Sequence, residues 1–435
     1  MDKHLKYTLD DRPPLGPLLL FGLQWLAVAI PPLIIAAKII APLESSVPGY
    51  EVAYLQKTAF LTGITILLQI LFGHRLPLIA GPSTVLLIGV LASYSFGPGS
   101  VYTAMALGGA LLALVGLTGI FGHIQRLFTP RVVATVLLLI AFTLTPTLVT
   151  LLTAAQGSGR SLQNLLFAVG LSTALLAGNR FLKGIWRSTL IIWSTLGGTV
   201  FYLLLFPADL RPFDDQLPLV SGFFSTPIKD FAFDTGVFIS FLFCFLGLSI
   251  NDLGSMESIA EILKPKAVGG RINKGVTLSG LMNVLSGILG VVGPVNFSLS
   301  PGIVLSTGCA SRFVLLPAAL VLSALAFFPS VMRVMGSIPS AVIGTILLYI
   351  LCFQVSAGLS VLWEAEDFSL ETGLVLGLPL LFSNIVAILP DEIISAFPLV
   401  LRPVLGNGFV VGVALVLILE HVIFRPRPAG QQGRK

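Results

Sequence analysis

Two neighbouring polar residues, Asn251 and Asp252, lie inside an otherwise apolar stretch of the chain. Placing a carboxylate in a membrane segment costs roughly 2.5–3.5 kcal/mol, so such a residue is a candidate for function. Asp252 would bind a solute or carry a proton, and Asn251 would offer hydrogen bonds without a change of charge. The alternative is structural: Asp252 would face the packed interior or pair with a basic side chain, and Asn251 would bond a neighbouring helix.

Residues 293–312 form a second candidate, because they combine two prolines, three glycines and several hydroxyl side chains within a hydrophobic chain. A helix can begin near Pro301 but cannot easily run through it. The preceding residues would be extended, and extended backbone at membrane depth survives only inside protein or beside a wet cavity. A half-helix from Ser300 would direct its free N–H groups into that cavity. This pattern is typical of a transporter's solute site; a kinked helix or an empty re-entrant loop is the alternative.

The composition indicates a polytopic membrane protein. The 435 residues are 55% hydrophobic and 10% charged, with a mean hydropathy of +0.97, which is far from the composition of water-soluble domains. The net charge of +5 is spread over short loops, so it does not indicate nucleic acid. The three cysteines show no disulfide framework or metal-ligand spacing, and no cofactor is predicted. No catalytic group of acids or histidines gathers at one face, so the sequence does not indicate an enzyme.

Apolar stretches of about 20 residues, the length that crosses a bilayer, predict an all-α protein with fourteen transmembrane segments. Their approximate spans are 15–41, 53–72, 78–95, 101–121, 130–152, 162–178, 188–206, 233–257, 272–291, 294–309, 311–331, 338–359, 369–389 and 403–424. Segments three and ten are short and interrupted. Lys and Arg concentrate in alternate loops, which predicts cytoplasmic N- and C-termini in the inner (plasma) membrane.

A faint duplication relates the two halves of the chain. Gly81-Pro82 is echoed by Gly293-Pro294, and Pro130 by Pro339, at offsets close to half the chain length. Seven segments is an odd number, so the second copy would be inverted relative to the first. A 7+7 inverted repeat with interrupted segments at equivalent positions is typical of secondary transporters.

The segment from Phe297 to Arg312 resembles the signature of the nucleobase–ascorbate transporters, the uracil–xanthine permeases of the nucleobase:cation symporter-2 group. That signature reads Gln/Glu-Asn-x-Gly, four residues, then Thr and commonly Gly, with Ser-Arg following. This chain has Leu299-Ser300-Pro301-Gly302, then Thr307-Gly308 and Ser311-Arg312. The resemblance covers nearly the whole chain. It includes Arg75-Leu76-Pro77, Phe128-Thr129-Pro130-Arg131, Ile338-Pro339 and Asn407-Gly408.

The resemblance implies a two-domain architecture. The core domain would comprise segments 1–4 and 8–11, within residues 1–129 and 233–333. The gate domain would comprise segments 5–7 and 12–14, within residues 130–232, which include an outer loop, and 334–435. The family places its substrate between short strands in segments three and ten. It also implies coupling to H⁺ or Na⁺, an elevator-like movement of core past gate, and a homodimer through the gate domains.

Several positions depart from the family's binding pattern. The Gln/Glu-Asn pair is Leu299-Ser300 here, the glutamate of segment eight is Asn251, the second ionisable position is Ser255, and the Gln-His of segment one is Gln24-Trp25. An unpaired buried group costs about 1–3 kcal/mol, so a pocket built to bond a nucleobase edge discriminates strongly. Leucine at position 299 removes that discrimination.

These observations predict a secondary active transporter of a uracil- or xanthine-like planar solute, with symport of H⁺ (or Na⁺) through Asp252. Gln24 would orient the site or hold helices together, and Trp25 would stack on a ring or fill the core. The alternatives are an anion transporter of sulfate-permease-like architecture, since half-helix N-termini suit anions, and a membrane binding protein without transport. The predicted substrate-binding residues are Gln24, Trp25, Thr84, Asn251, Asp252, Ser255, Ser298, Leu299, Ser300 and Gly302.

Overall fold

The computed structural model describes residues 5–45, 49–154, 160–207, 218–223, 230–365 and 369–424. Helices dominate both halves of the chain. The first half contains α1 (Leu15–Glu44), α2 (Tyr50–Leu71), β1 (Ala80–Pro82), α3 (Thr84–Ser93), α4 (Pro98–Thr118), α5 (Phe121–Ile124), α6 (Pro130–Thr143), α7 (Thr145–Thr153), α8 (Ser161–Phe181), α9 (Ile185–Ser188) and α10 (Leu190–Leu205). The second half contains α11 (Thr235–Leu263), α12 (Val268–Leu289), β2 (Pro294–Asn296), α13 (Ser300–Thr307), α14 (Leu315–Leu325), α15 (Pro329–Gly336), α16 (Ser340–Glu364), α17 (Leu370–Ala387), α18 (Asp391–Ala396), α19 (Arg402–Leu405) and α20 (Gly408–Ile418).

The chain is a mostly helical, multi-pass membrane protein. Within the described ranges, eight helices are long and apolar enough to cross a membrane, and a ninth span exists if the bent pair Arg312–Leu325 and Pro329–Gly336 counts as one. Predicted segments three, seven and fourteen correspond to shorter apolar helices, and segment ten corresponds to β2 followed by the eight-residue α13. The count of fourteen spans stays a prediction.

Two three-residue strands interrupt the chain within predicted segments three and ten. β1 and β2 pair antiparallel, with Ala80 opposite Asn296 and Pro82 opposite Pro294, and every strand residue is buried. Two more backbone bonds extend the pairing, from Ser83 N to the Gly293 oxygen at 2.8 Å and from Phe297 N to the Ile79 oxygen at 2.9 Å. The two interrupted segments therefore satisfy each other's backbone groups.

Each strand leads into a short helix because the sequence supplies a start signal there. Ser83 is the N-cap of α3, and its hydroxyl accepts a hydrogen bond from Leu86 N at 3.3 Å. Pro301 occupies the first turn of α13, where its missing N–H is no loss. Both half-helices therefore begin at the strand pair.

Helix packing divides the described helices into two groups. In the first group, α4 packs on α12, α2 on α14, and α11 on α3 and α4, while the strands contact α1, α2, α11 and α12. In the second group, α16 packs on α6, α7 and α8, and α17 packs on α6 and α20. Contacts of α1 with α16, α3 with α6 and α11 with α20 join the groups. The strand pair thus belongs to the first group and lies near the boundary.

Glycines bring the backbones of α4 and α12 into direct contact. A Cβ atom at Gly280 would lie 2.6 Å from the Gly109 oxygen, and one at Gly287 would lie 2.6 Å from the Tyr102 oxygen. Small residues of this kind allow membrane helices to associate through close packing, since lipid provides no hydrophobic driving force between them. Backbone contact therefore holds α4 against α12, and α12 in turn contacts β2.

Replacing Gly280 by alanine should separate these helices, because its Cβ would meet backbone rather than a flexible side chain. Overpacking of this kind costs about 1–3 kcal/mol, so we expect a lower midpoint of thermal unfolding in detergent. Gly270→Ala is the matched control on the same helix, since nothing lies within 4 Å of a Cβ there. Equal midpoints for the two variants would contradict the proposed role of the glycine contact.

Candidate functional site

A cavity of about 290 Å³ lies where the two helix groups meet. The first group contributes residues of α1, the residues that follow β1, Asn251 of α11 and the stretch from Val295 to Leu299 apart from Asn296. The second group contributes Ile140 of α6 and the stretch of α16 between Leu347 and Ser360. The strand pair therefore supplies one wall and α16 the other.

The cavity surface is mostly apolar with a few hydrogen-bonding side chains. The polar lining residues that the structure describes are Ser83, Thr84, Asn251, Ser298, Gln354, Ser356 and Ser360. None of the described lining residues is charged. A pocket lined in this way suits an uncharged solute that is oriented by a small number of polar contacts.

Asn251 is the predicted site residue with the clearest position on the cavity. Its Oδ1 accepts a hydrogen bond from Ser298 Oγ at 3.1 Å, and among the described residues its Nδ2 makes no hydrogen bond. Ser255, one turn further along α11, places its hydroxyl 2.9 Å from Ser298 Oγ and 2.9 Å from the Asn296 carbonyl oxygen. Ser255 therefore fastens the strand to α11, and Asn251 keeps an amide donor for the cavity.

Asp252 faces the other way, against the back of β2. Its Oδ1 accepts hydrogen bonds from the Asn296 backbone N at 3.1 Å and from Asn296 Nδ2 at 2.6 Å. Its Oδ2 accepts from Ser279 Oγ at 2.8 Å. Consecutive helical residues differ by about 100° in direction, so Asn251 and Asp252 contact different surroundings. Asp252 is 1% exposed and outside the cavity lining, and its role in solute binding and proton coupling stays a prediction.

His74, which was not among the residues predicted from the sequence, continues this network behind the strand. Its Nδ1 accepts a hydrogen bond from Leu76 N at 2.9 Å, so Nε2 carries the proton and lies 3.3 Å from Asn296 Oδ1 as a donor. His74 lies between α2 and β1 and is fully buried. Burial lowers the pKa of His74 to about 3, against a smaller opposing effect of the Asn296 bond. A neutral histidine thus fixes the side chain that holds Asp252.

The structure places the remaining predicted residues in three groups. Thr84, Ser298 and Leu299 line the cavity, Leu299 as an apolar surface. Ser300 instead bonds the strand region, accepting from Ile79 N at 3.2 Å and donating to the Phe297 oxygen at 2.8 Å. Three others lie outside the lining: Gln24 and Trp25 are buried in α1, and Gly302 is exposed on α13.

Two cavity residues were missed by the sequence analysis. The ring of Phe297 lies over Gly81, where a Cβ would be 2.6 Å from the ring carbon Cζ, so only glycine leaves room for the ring in this position. Gln354 of α16 faces the cavity from the opposite wall. An amide inside an apolar helix was the signal that identified Asn251, and the same signal could have identified Gln354.

Comparison with known proteins identifies relatives along most of the chain. The sequence model of a permease family, Xan_ur_permease, matches residues 16–392. The nucleobase transporter PlUacP of Paenibacillus larvae is 26% identical over 385 residues, which cover 86% of this chain and 87% of that protein. The uric acid permease PucJ of Bacillus subtilis is 25% identical over 413 residues, with 90% of each chain covered.

Solved structures show a similar fold at low sequence identity. The transmembrane domain of the cyanobacterial bicarbonate transporter BicA matches with a TM-score of 0.61 and 17% identity, covering 86% of this chain and 96% of that domain. SLC26A9 matches with a TM-score of 0.61 and 12% identity, covering 94% of this chain and 65% of that protein. These matches concern the fold alone.

The buried histidine predicts a pH dependence of stability. An unfolded chain binds a proton at His74 below about pH 6.5, whereas the folded protein does so only near pH 3. The contribution of His74 to the free energy of unfolding is therefore complete above pH 6.5. It falls as the pH drops from 6.5 toward 3, by at most about 1.4 kcal/mol per pH unit.

His74→Gln keeps a donor for Asn296 but cannot titrate, so we expect its unfolding midpoint to fall less steeply between pH 6.5 and 4. His421→Gln, at a partly exposed histidine whose Nε2 lies 3.1 Å from the Leu127 oxygen, serves as the control for loss of a histidine. Thermal unfolding in detergent across this pH range measures the slopes. A wild-type slope in His74→Gln would show that the buried ring does not control acid stability.

Proposed function

Because the chain belongs to the xanthine/uracil permease family, a family of transporters and not of enzymes, we propose that it is a secondary active transporter of a nucleobase-like planar solute. The observation that carries the proposal is the uncharged cavity between the strand pair and α16, with the Asn251 amide and the Phe297 ring on its wall. The relatives that transport nucleobases or uric acid by their names support the same solute class.

The size and chemistry of the cavity support a small heterocycle. Its volume of about 290 Å³ lies at the lower end of the range of small-molecule pockets, roughly 300–1,000 Å³. A planar ring would stack on Phe297, while Asn251 Nδ2 would donate to an acceptor on the ring edge. Thr84 and Ser298 would add hydroxyl contacts from the ends of the two strands. Each such bond contributes about 0.5–1.5 kcal/mol.

The two helix groups support an elevator mechanism as part of the proposal. The first group would be the core domain, within residues 1–129 and 233–333, and the second the gate domain, within residues 130–232 and 334–435. A solute bound at the strand pair would move with the first group, because β1 and β2 contact only helices of that group among their main neighbours. Fourteen spans in a 7+7 inverted repeat, cytoplasmic termini, the plasma membrane and a homodimer through the gate domains complete the proposed arrangement.

Coupling to H⁺ through Asp252 is the proposed energy source, with Na⁺ as the alternative ion. Asp252 is a buried carboxylate one residue from the cavity-lining Asn251. Its Oδ2 is bonded to the Ser279 hydroxyl at 2.8 Å, and a hydroxyl can donate or accept. Protonation of Oδ2 would therefore reverse one hydrogen bond rather than lose it. Since the other oxygen holds Asn296 of β2, the charge of Asp252 is linked to the strand that carries the solute site.

The anion transporter considered from the sequence has the two half-helix N-termini in its favour but no charged partner in the described cavity lining. The likeness to a bicarbonate transporter domain is one of fold, at 17% identity. The described lining residues include no basic side chain that would compensate the charge of an anion. A binding protein without transport activity is distinguished from a transporter by flux.

The test of the proposed function is uptake of radiolabelled uracil, xanthine and uric acid into liposomes that contain the purified protein. We expect uptake of at least one of them. Gly81→Ala should reduce this uptake several-fold, because the new Cβ would displace the Phe297 ring. Gly373→Ala, where nothing lies within 4 Å of the Cβ, should transport like the wild type. Absence of uptake of all three solutes by folded wild-type protein would reject the solute class.

Asp252→Asn tests the coupling separately. The amide keeps the shape of the side chain but cannot exchange a proton, so we expect uptake that no longer responds to a pH gradient while equilibrium binding of the solute persists. Thermal unfolding of the variant checks that β2 remains anchored. Wild-type acceleration of uptake by an inward proton gradient in Asp252→Asn would remove this residue from the coupling mechanism.

A further inference from the structure

Gln354 is an amide with an unusual position in the cavity wall. It lies in the apolar helix α16 and lines the cavity on the side opposite to Asn251. Its Nε2 atom is buried, and it has no hydrogen-bond partner among the residues that the structure describes. Gln354 therefore carries an unpaired amide donor on a residue of the cavity wall.

An unused buried donor calls for an explanation. The great majority of buried polar atoms in proteins are hydrogen-bonded, and leaving one unpaired costs free energy. The amide is not needed for packing, because an apolar side chain of similar length would fill the same space. A donor kept at a cavity wall is explained if a bound molecule supplies the acceptor.

We propose that Gln354 Nε2 donates a hydrogen bond to a carbonyl oxygen of the transported solute and so determines which heterocycles are accepted. This inference rests on the proposed function and deepens it. Asn251 offers a second amide donor from the opposite wall, whereas Leu299 offers no hydrogen-bonding side chain. Two amides on residues of the two cavity walls match a neutral planar ring with oxygen acceptors on two edges, as in pyrimidinediones and purinediones.

The position of Gln354 also links recognition to the arrangement of the helix groups. α16 packs on α6, α7 and α8 of the second group, whereas Asn251 is carried by α11 of the first group. A solute bonded to both amides bridges the groups. The bond to Gln354 is therefore made only while the groups are arranged as described, and it is released when one group moves past the other.

The experiment compares wild type with Gln354→Met, which keeps the length of the side chain but removes the amide. Asn384→Leu is the control, since its amide bonds the Leu380 oxygen within α17 at 2.8 Å and does not line the cavity. Binding is measured by titration with whichever of uracil, xanthine and uric acid the wild type binds, and with the monothio analogues of that ligand. In each analogue a weakly accepting sulfur replaces one carbonyl oxygen.

We expect Gln354→Met to weaken binding of the oxygen ligand about 3–10-fold, the value of one hydrogen bond, and Asn384→Leu to leave it unchanged. One monothio analogue should bind wild type more weakly than the oxygen ligand does. Gln354→Met should bind that analogue and the oxygen ligand with equal affinity. The unfolding midpoint of ligand-free Gln354→Met should match or exceed that of wild type, because the variant has one fewer unpaired buried group.

Three results would overturn the inference. The first is that Gln354→Met binds the oxygen ligand as tightly as wild type does. The second is that Gln354→Met discriminates among the analogues as wild type does. A lower unfolding midpoint of the ligand-free variant would assign the amide a structural role instead. If wild type binds none of uracil, xanthine and uric acid, the proposed function fails and this inference fails with it; the other results reject the inference alone.

Discussion

The structure depends on hydrogen bonds between two short pieces of extended backbone. Extended segments at membrane depth cannot obtain partners from lipid, so β1 and β2 must pair with each other and be covered on all sides. The flanking bonds of Ser83 and Phe297 continue this pairing to the starts of the two half-helices. Without the pairing, neither interruption would be stable, and the cavity beside them would have no wall.

Neighbouring side chains of α11 make different contacts at the strand pair because they point in different directions. Asn251 faces the cavity, whereas Asp252 holds Asn296 from behind, with Ser279 as its other partner and His74 fixing Asn296. The described residues that line the cavity are therefore neutral, and the Asp252 carboxyl group lies behind β2. Under the proposed coupling through Asp252, protonation would act on β2 through Asn296 without placing a charge against the solute.

Sequence patterns were sufficient for the features that depend on local chemistry. The prolines and glycines near positions 82 and 301 predicted where the spans are interrupted, and the polar pair in α11 was recognised by its apolar surroundings. Features that depend on rotation about a helix axis or on contacts between distant segments were not accessible. Asn251 and Asp252 could not be assigned to separate surfaces, and Gln354 lines the same cavity as Asn251 only because α16 packs against α1 of the first group.

An experimental structure with a bound nucleobase tests the central claim most directly. We predict density for the base between Ser83–Thr84 on one strand end, Phe297–Leu299 on the other, and α16, with both spans interrupted at the paired strands. Either span running as an unbroken helix through the bilayer, or the base bound outside this cavity, would contradict the account.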